Sequence, residues 1–152
     1  MDDAQPTAAP YERNVHTAPF LDLAQQGAPG FGRVRNEDAT ESHVKWMGGD
    51  HDTGPWIYWV QRPAGHVIPP HKHKAGRVEF IARGAIEWFE GREAVEWFRH
   101  GPNAEDAPTG RRYSQGSLTW MPAGTVYGYR ILEDTDVLLW FDGPPGGTDW
   151  AL

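Results

Sequence analysis

The chain has 152 residues, 39% of them hydrophobic and 12% aromatic, which suits one folded domain with a moderate core. A net charge of -7, with no basic cluster longer than Arg111-Arg112, excludes the cationic footprint that nucleic acid requires. The absence of cysteine excludes disulfides, thiolate ligands and a thiol nucleophile, and no apolar run reaches the roughly 18 residues of a membrane span, so the expectation is a soluble, cytoplasmic protein with no membrane partner.

Residues 1–35 are rich in Ala, Pro, Gln and Gly, with apolar anchors only at Phe20-Leu21-Asp22-Leu23, and read as an N-terminal arm. From residue 36 to 142 short β-type runs follow one another. They are Val44–Met47, Trp56–Arg62, Arg77–Ala82 stopping at Gly84, Ala85–Phe89 stopping at Gly91, Ser117–Met121, Val126–Leu132 and Val137–Phe141. The last two are separated by a turn at Glu133-Asp134-Thr135-Asp136. Glu93–Phe98 fits strand or short helix. Glu87, Glu90, Glu93 and Glu96 read as a solvated edge, and residues 143–152, opening Gly-Pro-Pro-Gly-Gly, as an irregular tail. Many short strands with close turn signals predict an all-β sandwich or barrel.

The chemistry concentrates in Gly65-His66-Val67-Ile68-Pro69-Pro70-His71-Lys72-His73. Alternate residues of an extended segment share a face, so His71 and His73 point the same way, about 6.6 Å apart along the strand. Two imidazoles on one face are half of a metal site, open to zinc, copper, iron or nickel. The same inward parity gives Arg77, Glu79, Ile81, Ile86, Trp88, Tyr129 and Ile131 to the barrel interior, where the aromatic rings favour a flat ligand. A guanidinium cannot coordinate a cation, so Arg77 either pairs with Glu79 or clamps an anionic substrate.

These residues resemble the two sequence motifs of the small single-domain cupins. Gly65, His71, His73 and Gly84 fall in register with the first motif, and Gly116, Pro122 and Gly124 with the second. The spacing is most similar to the branch that contains dihydroxyacetophenone dioxygenases and ChrR-type cupins. The resemblance implies a double-stranded β-helix, or jelly roll, and often a homodimer, for which Trp56-Ile57-Tyr58-Trp59 offers an apolar edge.

Two of the family's four ligand positions differ: Arg77 stands where its glutamate would be and Tyr127 where its third histidine would be. On the resemblance, a divalent transition metal, iron foremost, would sit on His71 and His73 with Glu79 or Tyr127 as third ligand. The activity implied is that of a dioxygenase or related oxidoreductase on an aromatic or diketone-like small molecule. Arg77, Trp88, Tyr129 and Ile81 would contact that substrate. Two alternatives stand beside it. One is a metal-free or weakly metal-dependent cyclase, isomerase or lyase, with Glu79, His73 and Tyr127 moving protons. The other is a non-catalytic, ligand-sensing barrel in which His71 and His73 are hydrogen-bonded without metal.

Overall fold

The computed structural model describes residues 15–17, 43–50, 52–144 and 149–151. Eight strands and one helix follow in the order β1 (His43–Gly49), β2 (Trp56–Arg62), β3 (Val67–Lys72), β4 (Arg77–Glu90), α1 (Gly91–His100), β5 (Arg111–Ser114), β6 (Leu118–Met121), β7 (Tyr127–Phe141) and β8 (Asp149–Trp150). All pairings are antiparallel. The expected arm lies, apart from residues 15–17, outside the described residues. Among them, no helix is long and apolar enough to cross a membrane.

Two strands are longer than the sequence suggests. Arg77–Glu90 and Tyr127–Phe141 each run through the turn predicted at their middle. The chain bends there instead of reversing, and the β4–β7 register shifts between Ile81 and Ile86. Gly84 makes the bend possible. Its φ is 85°, and a Cβ at this position would lie 2.4 Å from the Asp134 carbonyl oxygen and 2.6 Å from Thr135 Oγ1. The two bends therefore nest backbone to backbone, and only glycine fits.

The bends divide the hydrogen-bonded network into two facing layers. The first half of β4 and the second half of β7 lie with β6, β2 and β1. The second half of β4 and the first half of β7 lie with β5, β3 and β8. Residues at a spacing of two bury the inner faces: Trp56, Tyr58 and Val60 on β2, Val137, Leu139 and Phe141 on β7, and Ile86 and Trp88 on β4. This is the expected all-β jelly roll.

The outer faces of the layers differ. Helix α1 covers the second layer, burying Ala94 and Trp97, with Trp97 stacked on Phe89 at 4.2 Å. Residues 93–98 are thus helical, and their apolar positions serve this face. Glu87 belongs under the same cover and not to a solvated edge: it is buried, ion-paired with Arg130, and accepts a hydrogen bond from the Gly110 N–H at 3.0 Å. Among the described residues, the first layer carries no such helix. The Trp56–Trp59 run is not an edge either, because β2 pairs with β1 on one side and β7 on the other. Nor is the C-terminal segment irregular throughout, since Asp149–Trp150 pairs with β3 beside His71 and the Ala151 N–H donates to the Pro70 carbonyl at 3.0 Å.

Candidate functional site

Inward-facing polar groups collect between the layers, where the predicted His71, His73, Arg77, Glu79 and Tyr127 come together. His71 lies on β3 and His73 just after it, their ring centroids 4.9 Å apart. The His71 ring is 4.4 Å from that of Tyr127, and the His73 ring 6.2 Å from it. Both imidazoles therefore meet one phenol, as the alternation of the segment requires. The Pro69-Pro70 pair shifts the β3–β7 register between Ile68 and His71, setting His71 opposite Tyr127.

Across the interior, Arg77 enters from the other layer. Its guanidinium carbon lies 4.4 Å from the Tyr127 ring centroid and 6.0 Å from that of Phe141. Arg77 is ion-paired with Glu79 and shares a further side-chain hydrogen bond with Tyr129. Both members of the ion pair are fully buried. Ile81, Ile86, Met121 and Ile131 form the apolar wall, against which Trp88 stacks at 4.6 Å from Tyr127 and 5.6 Å from Tyr129.

Burial sets the protonation states. Desolvation, reinforced by the positive charge of Arg77, holds the His73 imidazole down at about 2. His71 is lowered to about 3 by burial, with Arg77 and Arg62 adding to the effect and the Pro69 carbonyl opposing it. Both rings are neutral near pH 7. Burial pushes the Tyr127 and Tyr129 hydroxyls up, so both stay protonated.

The donor set does not fit a resident transition metal of the kind the motif resemblance implies. His71 supplies one imidazole, its Nδ1 2.7 Å from the Pro69 carbonyl, and His73 a second. Glu79 gives one carboxylate oxygen to Arg77, burial pushes the Tyr127 hydroxyl up, and a guanidinium stands where the motif has its carboxylate ligand. Among the described residues no three His, Cys, Asp or Glu side chains are grouped to hold an ion. Of the remaining histidines outside the site, His16 and His100 are exposed. His66 is buried, its backbone carbonyl accepting from the Ile131 N–H.

One interior residue escapes the sequence reading. Arg62 closes β2 on the inward parity of Trp56, Tyr58 and Val60, and its guanidinium carbon lies 5.4 Å from the Tyr129 ring centroid. Continuing the two-residue period by one step would have found it.

The two-layer winding has counterparts among solved structures. An RmlC-like cupin from Shewanella frigidimarina superposes with a TM-score of 0.58 at 10% identity, over 90% of this chain and 92% of that one. The fold is that of the cupins. KdgF from Halomonas sp. matches the same cupin fold with a TM-score of 0.54 at 20% identity, covering 86% of this chain and 90% of that one. A double-stranded β-helix protein from Klebsiella pneumoniae gives 0.54 at 14% identity, over 75% of this chain and 87% of that one. No family model and no curated protein matches the sequence.

Proposed function

We propose that the barrel interior is the site of a small-molecule enzyme that moves a proton on an anionic, oxygen-bearing substrate, as an isomerase, lyase or cyclase does. One observation carries this reading: His73 Nδ1, Tyr127 Oη and Glu79 Oε1 are all buried in one interior without a hydrogen-bond partner, beside Arg77. Each such group costs about 1–3 kcal/mol, a cost that a polar guest would offset.

In this reading Tyr127 donates its O–H to a substrate oxygen and stabilises the charge that develops there. His73, with its N–H on Nε2, takes a proton from the neighbouring carbon through Nδ1 and returns it at another atom. An anion near Arg77 removes one cause of the low proton affinity of His73, so substrate binding strengthens the base. Glu79 holds Arg77 in place and offers its second oxygen as a further acceptor. An iron-dependent oxidative reading of the same residues needs a third donor beside His71 and His73. Arg77 stands against both candidates, since it pairs with Glu79 and stacks on Tyr127.

Chelator-treated protein, checked by elemental analysis, is incubated in D₂O with small oxo-acids and 1,3-diketones, and C–H signals are followed by NMR. Deuterium should enter a carbon next to a carbonyl, with the rate falling about 100-fold or more in His73→Gln and in Tyr127→Phe. Stoichiometric metal that disappears in His71→Ala, with turnover only in loaded protein, overturns the proposal in favour of a metalloenzyme. Binding without exchange favours a ligand sensor.

A further inference from the structure

We infer that Arg62 is the anion anchor of this site, and that the substrate joins a carboxylate, or an equally compact oxyanion, to a flat unsaturated body. The inference rests on the small-molecule reading above and names its substrate class. Arg62 Nε and Nη1 are buried without a hydrogen-bond partner, and no carboxylate among the described residues pairs with it. Arg77, by contrast, already has Glu79 and Tyr129. Two guanidiniums against one carboxylate leave the interior with an excess of positive charge. One anionic group balances it.

Position agrees with charge. Among the polar groups of the site, Arg62 and His73 keep partial exposure, whereas Arg77, Glu79, Tyr127 and Tyr129 are fully buried. A guest entering from solvent therefore meets Arg62 and His73 before Arg77. Beside these groups the Trp88, Tyr127 and Tyr129 rings lie near parallel, 12° to 18° apart, and form an aromatic wall that suits a planar neighbour. Guanidinium binds carboxylate through paired N–H donors, a geometry that a neutral amide cannot return.

The test compares benzoate with benzamide, which share shape and differ in charge, by calorimetric titration. Wild type should prefer benzoate by about ten-fold or more. Arg62→Gln should lose that preference, and Arg62→Lys, which keeps the charge, should retain part of it. Equal affinities in wild type, or an undiminished preference in Arg62→Gln, would overturn the assignment. The readout is binding alone: an Arg62-dependent preference without deuterium exchange upholds the anchor and removes the proton-transfer reading.

Discussion

Replacing Glu79 by glutamine keeps the shape of the interior and removes one charge. Glu79 is 1% exposed and its partner Arg77 4%, so neither can turn to water when the other is lost. Breaking such a pair from one side costs about 3–5 kcal/mol, mainly because the surviving charge stays buried and uncompensated. For a domain of this length, that lowers the melting temperature by about 6–20 °C. The double variant Arg77→Met, Glu79→Leu removes both charges and should recover most of the loss, since apolar replacement of a whole buried pair is often neutral or stabilising. Urea unfolding of the wild type, Arg77→Met, Glu79→Leu and the double variant closes the cycle, with Glu79→Gln measured beside it. A loss below about 1 kcal/mol in Glu79→Gln, or a double variant no more stable than the weaker single, refutes the claim that each charge is kept by the other.

Two more outcomes follow from the same geometry. His71 and His73 are lowered in the folded state, to about 3 and about 2, while in the unfolded chain they take up protons near the ordinary histidine value of 6.5. Between those limits only the unfolded state binds the protons, so stability is full above pH 6.5 and falls with acidification, by up to about 2.7 kcal/mol per pH unit for the two together. Stability measured against pH should lose half of that slope in His71→Asn, and an unchanged slope contradicts the assignment. Gly84→Ala places a Cβ 2.4 Å from a carbonyl oxygen at a φ of 85°. It should cost about 2–4 kcal/mol by denaturant unfolding, whereas Gly116→Ala, with no atom within 4 Å, should cost only the backbone strain of about 1–2 kcal/mol.

The meeting of His71 and His73 with Tyr127 was legible because local alternation and a fixed motif spacing carry it. So was the burial of Ile81, Ile86, Trp88, Tyr129 and Ile131, which follows from period two within each strand. The length of β4 and β7 was not. Glycine and Glu-Asp-Thr-Asp mark a change of direction equally well for a hairpin and for a bend, and only the nesting of Gly84 against Thr135 distinguishes them. Glu87 was misplaced because its burial comes from Arg130 and Gly110, far away in the chain.

By itself, then, the sequence determined most of the strand segments, their inward faces and all but Arg62 of the polar side chains named in the site, because these depend on neighbours two residues apart. Tertiary structure alone decided what those side chains do to one another. Arg77 reaches Tyr127 across the gap between layers, and Arg62 arrives beside Tyr129 from a strand that the motifs do not include. Electrostatics acts through space, and the pairing of Glu79 with Arg77, which occupies one carboxylate oxygen and leaves the other unpartnered, exists only once both are buried together.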